Sequence, residues 1–349
     1  MGKYQYVSCF YCRLATINEA FRIIVCIFAS VRRKRYNDYG SWLKGKFPFR
    51  VQKIPVDAGF SCPNRDGNKG SGGCVFCENR AFVPSFCDKR KSISEQIADG
   101  KAFFGRKYPD MRYIAYFQAY TNTYADLDTL RRRYEEALSV SDVVGLIIAT
   151  RPDCVDDAVL DYLADLSRHT FLAVEYGIES ANDTTLAAIH RGHDFACSRT
   201  AIEATAARGI HTGGHVILGL PDEDREEHLR QAGIISSLPL DILKIHHLQV
   251  IKGTRLADIH HATPLPLYTI DDYIPLLAEY ISRLRSDLVL ERFVNLSPPG
   301  MVIAPHWGVK SQEFTRQLEE YMEKNDLWQG KNQKASRYLA SSLSLSIDT

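Results

Sequence analysis

Short apolar runs alternate with longer amphipathic segments along most of this chain, beginning near residue 49. The runs predict six strands, at residues 50–56, 113–118, 143–149, 171–176, 211–218 and 243–250. The segments that separate and follow them predict helices at residues 92–108, 127–138, 155–167, 180–189, 198–208, 224–236 and 271–285. Strands that alternate with helices of this length indicate βαβ units and a parallel sheet. The pattern therefore predicts an α/β fold, either a partial barrel or a doubly wound sheet.

Each predicted strand leads into polar, glycine-rich or charged residues at its carboxyl end. Both architectures place their ligand sites at that edge of the sheet. The first connection, residues 58–91, is about 34 residues long. Loops longer than ~15 residues without secondary structure are uncommon unless they are functional or disordered. This loop is therefore the first candidate for a functional segment.

Three cysteines, Cys62, Cys74 and Cys77, lie in this loop with the spacing C-x11-C-x2-C, and Phe76 precedes the last of them. A complete 4Fe–4S cluster normally takes four cysteine ligands. Three thiolates so spaced predict either an incomplete structural site or a cluster whose fourth iron stays open for reaction. Structural zinc is the competing interpretation. Zinc requires four ligands, and Cys87 is the candidate for the fourth.

Composition narrows the classes of protein to which the chain can belong. Of its 349 residues, 45% are hydrophobic and 24% are charged, which is typical of a soluble globular protein. The net charge of +1 provides no overall basic field for a nucleic acid. Nine cysteines without the spacing of a secreted disulfide framework favour a reducing, cytoplasmic setting.

The first 36 residues are predicted to form an accessory extension. Their apolar run, residues 23–29, has seven residues, far short of the ~20 needed to span a bilayer. A basic cluster at residues 32–35 follows the run, whereas a secretory signal places its basic residues first. We therefore expect no membrane contact. Cys9 and Cys12 form a C-x2-C pair with no second pair nearby, and a metal-binding role for them is left open.

Eight segments, in order along the chain, carry a resemblance to a known family. They are residues 59–67 (GFSCPNRDG), 72–77 (GGCVFC), 116–121 (YFQAYT), 150–154 (TRPDC), 175–180 (EYGIES), 190–195 (HRGHDF), 215–221 (HVILGLP) and 244–256 (KIHHLQVIKGTRL). They resemble the radical S-adenosylmethionine (radical SAM) superfamily, and within it the YhcC-like branch related to the Elongator catalytic subunit. The resemblance implies a partial (βα)6 TIM-like barrel at residues 37–285. A C-terminal closing segment and tail would follow at residues 286–349.

The resemblance also implies cofactors and the residues that hold them. Cys62, Cys74 and Cys77 would bind three irons of a 4Fe–4S cluster, and S-adenosylmethionine would bind the fourth. One electron from the cluster would cleave S-adenosylmethionine and release a 5′-deoxyadenosyl radical, which takes hydrogen from a substrate carbon. The residues expected at S-adenosylmethionine are Phe76 and Gly219 near the adenine, Gln118 near the methionyl amine, Glu179 at a ribose hydroxyl and Arg191 at the carboxylate.

Polar residues of the sixth predicted strand are candidates for the catalytic chamber. Lys244 and His246 alternate along this strand, so their side chains share one face. Gln249 joins them only if the strand bends near its exit. Arg151 and Asp153, at the exit of the third strand, are further candidates.

The leading expectation is a radical SAM enzyme whose substrate is unknown. Kinship with the Elongator subunit suggests a tRNA base, whereas other relatives suggest a small molecule. A low-potential electron donor such as flavodoxin or ferredoxin would be the protein partner. The alternative is a zinc-stabilised nucleic-acid-binding module without catalysis, which the net charge of +1 disfavours.

Overall fold

The structure is a computed structural model that describes residues 34–81, 83–105, 110–295 and 297–333. The chain divides into two compact units, residues 1–35 and 36–349, and the second contains all the elements described below. Three sequence predictions lie outside the described residues: the apolar run at 23–29, the pair Cys9 and Cys12, and the tail beyond residue 333. The predicted boundaries of the extension, the barrel and the closing segment stay predictions.

A seven-stranded sheet, parallel throughout, forms the centre of the unit. In spatial order its strands are β1 (Val51–Val56), β2 (Arg112–Phe117), β3 (Val143–Thr150), β4 (Phe171–Glu179), β5 (His211–Leu218), β6 (Ile242–His247) and β8 (Val289–Arg292). Two further strands, β7 (Val250–Ile251) and β9 (Val302–Ala304), form an antiparallel pair. The order is linear, with β1 and β8 at the edges, so the barrel is open. The α/β partial-barrel prediction is confirmed.

The seventh strand of this sheet, β8, was not predicted. It has only four residues, of which Glu291 and Arg292 are charged, so no apolar run marks it in the sequence. The segment is identified as a strand only because Val289, Leu290 and Arg292 pair with β6. The half-barrel therefore has one strand more than the six expected.

Ten helices flank the strands in the described residues: α1 (Tyr39–Lys46), α2 (Ile93–Gly105), α3 (Leu127–Ser139), α4 (Asp157–Ser167), α5 (Asp183–Ala188), α6 (Phe195–Ala207), α7 (Arg225–Ser236), α8 (Arg255–Ala262), α9 (Ile270–Arg283) and α10 (Ser311–Lys324). Short 3-10 turns occur at Asn79–Ala81 and Pro152–Cys154. Aspartate caps explain several helix starts, because Asp126, Asp156 and Asp224 each accept the backbone N–H three residues ahead. The seven predicted helices are present with shifted ends, whereas α1, α8 and α10 were missed.

Helices cover the sheet, and the segment after β9 packs against the end of β6. Five of the six residues of β2 and six of the eight residues of β3 are buried, as expected for parallel strands enclosed on both faces. The Trp307 ring stacks on His247 at 4.1 Å, and its Nε1 donates to the carbonyl of Tyr268 at 3.1 Å. Across the parts of the chain that the structure covers, every helix is too short or too polar to cross a membrane.

Candidate active site

One cavity at the carboxyl ends of the strands gathers eleven of the thirteen candidate site residues named from the sequence, Arg151 among them. Its lining includes Cys62, Cys74, Phe76, Cys77, Gln118, Glu179, Arg191, Lys244, His246 and Gln249. Every strand of the sheet from β2 onward contributes to the lining, and the loop after β1 supplies the cysteines. Because carboxyl ends of parallel strands meet at one edge, distant segments converge there.

Backbone turns hold the cysteine loop, here residues 58–91, in place around its thiols. The carbonyl of Cys62 accepts the N–H groups of Arg65 and Asp66 at 2.8 and 3.2 Å, and the N–H of Cys77 donates to the carbonyl of Cys74 at 3.0 Å. The N–H of Val75 donates to the carbonyl of Ile189 at 3.0 Å, which fixes the loop to the end of α5. The loop therefore places its thiols through backbone hydrogen bonds rather than through an apolar core of its own.

Three side-chain N–H groups point at two of the thiols. Asn64 Nδ2 and Arg191 Nη1 each lie 3.6 Å from Cys74 Sγ, and Asn79 Nδ2 lies 3.6 Å from Cys77 Sγ. Burial, followed by the neighbouring Cys74, raises the pKa of the Cys77 thiol to about 11, although Arg65 opposes the shift. These donors favour the thiolate form that metal ligation requires, because a hydrogen bond to a charged group stabilises the charge.

Two buried arginines beside the thiols indicate which ligand charge the site suits. Arg151 Nε and Nη2 contact the Asp153 carboxylate at 2.8 and 2.9 Å, and Arg191 Nη2 donates to the carbonyl of Gly177 at 2.6 Å. Arg151 Nη1 and Arg191 Nε are also buried, yet they meet no hydrogen-bond partner in the described residues. Both residues line the cavity. A cationic group with an unsatisfied buried donor suits a negatively charged ligand, so the site fits a thiolate-bound cluster and a carboxylate.

Cys87, the candidate fourth ligand for zinc, lies elsewhere. Its thiol donates to the carbonyl of Pro55 at 2.9 Å, and Cys87 is not among the residues that line the cavity. Within the described ranges, no three or more His, Cys, Asp or Glu side chains converge as ligands of a single ion. Cys87 therefore lies apart from the three thiols that line the cavity.

Glu179 occupies a strained position at the end of β4. Its φ of +66° lies in the left-handed region, which non-glycine residues rarely adopt. Its neighbour Ser180 hydrogen-bonds the buried Glu223 carboxylate, and the N–H of Ala181 donates to Gln231 Oε1 at 2.8 Å. Strain that the surrounding structure holds in place is typical of functional sites. Glu179 Oε1 lies 3.7 Å from Arg191 Nη2, so these two predicted ligands are neighbours.

Two expected site residues do not line the cavity: Asp153, which contacts Arg151, and Gly219. The φ of Gly219, +93°, requires glycine, and its N–H donates to His228 Nε2 at 3.1 Å. A Cβ at this position would lie 3.2 Å from the Tyr268 ring. Ile217, two residues earlier on β5, lines the cavity. Gly219 is therefore not part of that wall, and its role at the adenine stays a prediction.

Four charged residues from separate strands, Lys53, Glu175, Lys244 and Glu291, form what we call the charged interior. Lys244 Nζ lies 2.6 Å from Glu175 Oε2 and 3.5 Å from Glu291 Oε1. Lys53 Nζ lies 2.6 Å from Glu291 Oε2 and 3.4 Å from Glu175 Oε1. Tyr116 Oη and His215 Nε2 extend the network, at 3.0 Å from Lys244 Nζ and 3.0 Å from Glu175 Oε2. Two cations and two carboxylates therefore balance one another inside the barrel.

The charged interior holds a group that can exchange a proton near neutral pH. Burial lowers the pKa of Lys244 to about 8, although Glu175 and Glu291 oppose the shift. Burial alone would raise the pKa of Glu175, but Lys244 and Lys53 outweigh it and hold that pKa well below its usual range. Burial also lowers the pKa of His246 well below its usual value. A lysine with such a pKa suits general acid–base chemistry.

Sequence reasoning missed Lys53, Glu175 and Glu291, and only partly anticipated the place of Gln249. β6 ends at His247, and the chain then turns so that Gln249 still reaches the cavity, where its Oε1 accepts from Ser297 Oγ at 2.9 Å. A glycine on the neighbouring strand accommodates the Glu175 side chain. Gly213 lies opposite it on β5, and a Cβ there would come within 2.8 Å of the Glu175 side chain. The glycine leaves room for a buried carboxylate.

Comparison with known proteins assigns the chain to a family. Residues 65–232 match the Radical SAM superfamily, and residues 240–324 match the Radical_SAM C-terminal domain. The uncharacterized protein YtqA of Bacillus subtilis is 36% identical over 298 residues, which cover 85% of this chain and 92% of YtqA. Protein YhcC of Escherichia coli is 35% identical, with 83% of this chain and 93% of YhcC covered. The chain belongs to the radical SAM superfamily and is a homologue of YtqA and YhcC, as the resemblance in its motifs predicted.

More distant relatives share part of the chain or the fold alone. The tRNA uridine(34) acetyltransferase of Methanocaldococcus infernus is 25% identical over 213 residues, which are 58% of this chain and 39% of that protein. Among solved structures, the M. infernus Elp3 with an N-terminal deletion has a TM-score of 0.60 at 17% identity. The match covers 80% of this chain and 64% of Elp3, so the chain spans less than two thirds of that protein. The likeness to Elp3 concerns the fold.

Proposed function

We propose that this protein is a radical SAM enzyme that holds a 4Fe–4S cluster through Cys62, Cys74 and Cys77 and leaves one iron for S-adenosylmethionine. The observation that carries the proposal is the shared cavity. It joins the three thiols, two arginines with unsatisfied buried donors, and the buried lysine Lys244, which is paired with carboxylates. When bound, the cluster would supply the electron for reductive cleavage of S-adenosylmethionine and so provide a radical able to take hydrogen from a substrate carbon.

The chain's own residues divide between binding and proton transfer. Arg191 binds the methionyl carboxylate, because a guanidinium suits that group and its Nε has no other partner in the described residues. Glu179 meets a ribose hydroxyl, and Gln118 and Phe76 contact the amine and the adenine. Lys244 exchanges a proton with the substrate, His246 lines the chamber as a neutral imidazole, and Gln249 orients the substrate by hydrogen bonds.

The substrate and partners follow from relatives and from the redox chemistry. A relative named as a tRNA uridine(34) acetyltransferase supports a tRNA base as substrate, and a small molecule is the second candidate. Reduction of the cluster requires a low-potential donor such as flavodoxin or ferredoxin. Such chemistry fits a cytoplasmic protein, where thiols stay reduced.

Anaerobic reconstitution tests the proposal. The protein is loaded with iron and sulfide, and dithionite and S-adenosylmethionine are added; release of 5′-deoxyadenosine is then measured by liquid chromatography and mass spectrometry. We expect release by the wild type and by Cys87→Ser, and none by Cys74→Ser. Tightly bound zinc without this product would support the zinc-stabilised module instead. Loss of iron from Cys87→Ser would show that the set of ligands is wrong.

A further inference from the structure

Two asparagine side chains in the cysteine loop donate to the thiols that the cluster needs, and sequence reasoning gave neither of them a role. We propose that Asn64 and Asn79 are positioning residues that hydrogen-bond the thiolates of Cys74 and Cys77 and raise the reduction potential of the cluster. The inference rests on the proposed function, since it concerns a cluster held by these cysteines. It assigns to the loop the control of how readily the cluster accepts an electron.

The partners at the other side of each amide determine which atom faces sulfur. Asn64 Nδ2 lies 2.6 Å from the carbonyl of His190, and a carbonyl can accept only from the amide nitrogen. Asn79 Oδ1 accepts the N–H of Tyr120 at 3.2 Å, which leaves its Nδ2 for the sulfur of Cys77. Neither amide can be flipped without losing its second hydrogen bond. The donors therefore point at the thiols because of contacts that do not involve sulfur.

The neighbours of Asn64 hold its amide beside Cys74. Asn64 is 5% exposed, and an amide nitrogen carries two hydrogens, enough for both His190 and Cys74. A Cβ on Gly70 would lie 2.5 Å from Asn64 Oδ1, so the glycine is needed for this fit. Arg191 Nη1 adds a second donor to Cys74 Sγ at 3.6 Å. Cys74 thus receives two N–H groups in a buried setting.

The two donors should change the reduction potential of the cluster in a definite direction. Reduction adds negative charge that is shared with the ligating sulfurs, and an N–H donor stabilises the more negative state. Removal of a donor should therefore lower the potential. In a one-electron couple, a tenfold change in the ratio of reduced to oxidised cluster corresponds to ~59 mV. We expect loss of either donor to lower that ratio severalfold at a fixed ambient potential.

The test is an anaerobic redox titration of reconstituted protein, followed by electron paramagnetic resonance, without S-adenosylmethionine. Asn64→Ser and Asn79→Ser should titrate at more negative potential than wild type, with a full iron complement. Asn68→Ser is the matched control, because Asn68 lies in the same loop but its amide contacts the Tyr124 hydroxyl rather than a sulfur.

The outcomes separate this inference from the proposed function. If Asn64→Ser and Asn79→Ser bind iron fully and titrate with the wild type, the inference is wrong. If Asn64→Ser does not assemble a cluster, Asn79→Ser decides, because Asn79 is only half-buried. A wild-type protein that takes up no reducible cluster would overturn the proposed function, and this inference with it.

Discussion

The cavity joins two regions that are built in opposite ways. In the cysteine loop, the three thiols lie within 16 positions of one another along the chain, and backbone turns hold them. In the charged interior, Lys53, Glu175, Lys244 and Glu291 come from four different strands and are held by one another. The first region can lose a side chain without leaving a buried charge, whereas the second cannot. We therefore expect loop changes to cost function and interior changes to cost folding.

The largest expected effect comes from Glu175→Gln in the interior. This change leaves Lys244, which is 2% exposed, without its nearest carboxylate. Breaking a buried ion pair typically lowers the free energy of unfolding by about 3–5 kcal/mol. Urea denaturation of the metal-free protein measures the loss. Glu279→Gln, which breaks half-exposed pairs with Arg225 and Arg283, is the control and should cost less than ~1 kcal/mol. Equal losses would show that the charged interior costs no more to break than a partly exposed ion pair.

A pH-dependent effect should follow from His247, at the end of β6. Burial lowers the pKa of His247 to about 3 from 6.5. Below pH 6.5 the unfolded chain therefore binds a proton that the folded protein does not, and stability falls as the pH drops toward 3. The slope is at most ~1.4 kcal/mol per pH unit. His247→Phe should remove this contribution, so the stability of the wild type relative to the variant should decline between pH 6.5 and 4. A constant difference would exclude a buried neutral imidazole.

The control for that comparison is His261→Phe, on an exposed position of α8. It replaces an imidazole that is exposed at the protein surface. The difference in the free energy of unfolding between wild type and this variant should change much less over the same pH range.

Gly177→Ala changes a glycine of β4 that lines the cavity, and it should weaken the binding of S-adenosylmethionine. A Cβ there would overlap Glu179 Oε1 and lie 2.6 Å from Arg191 Nη2, so the predicted S-adenosylmethionine ligands must move. We expect the Kd for S-adenosylmethionine to rise about tenfold, or ~1.4 kcal/mol, with iron content unchanged. Equilibrium dialysis of reconstituted protein measures the Kd. Gly233→Ala is the matched control, because a Cβ there meets no atom within 4 Å. Unchanged affinity in Gly177→Ala would place the cofactor elsewhere.

The smallest expected effect on folding is that of Cys74→Ser in the metal-free protein. Although this change should abolish S-adenosylmethionine cleavage, it leaves no charge unpaired, and a typical single substitution costs about 1 kcal/mol. Urea denaturation beside Glu175→Gln makes the comparison direct. A loss as large as that of Glu175→Gln would mean that the loop also supports the fold.

Local patterns were enough to predict much of the fold. Each of the six strands from β1 to β6 carries its own apolar run, and aspartates such as Asp126 and Asp224 mark the helix starts. β8 escaped prediction because two of its four residues are charged and only pairing with β6 defines it. Helix α8 was not predicted, although Thr254 caps it.

Part of the candidate site could likewise be predicted, because some of its residues form local patterns in the sequence. The other site residues form no such pattern. Cys62, Cys74 and Cys77 were found by spacing, and Lys244 and His246 by alternation on one strand. Glu175 and Glu291 were not, because isolated carboxylates in β-rich runs carry no signal of what they will contact. In the sequence, Asn64 and Asn79 are ordinary loop residues. Only their distances to the sulfurs of Cys74 and Cys77 indicate a role.

The sequence by itself determined the order of the elements, the family and the three thiols, because those depend on residues close together along the chain. Only the tertiary structure decided which charges meet inside the barrel, which donors face sulfur and that Gly219 lies outside the cavity. The contacts between charges depend on the register of neighbouring parallel strands, because a shift of one residue would turn each side chain to the other face of the sheet. The contacts of the loop residues depend on segments that are far apart in the sequence.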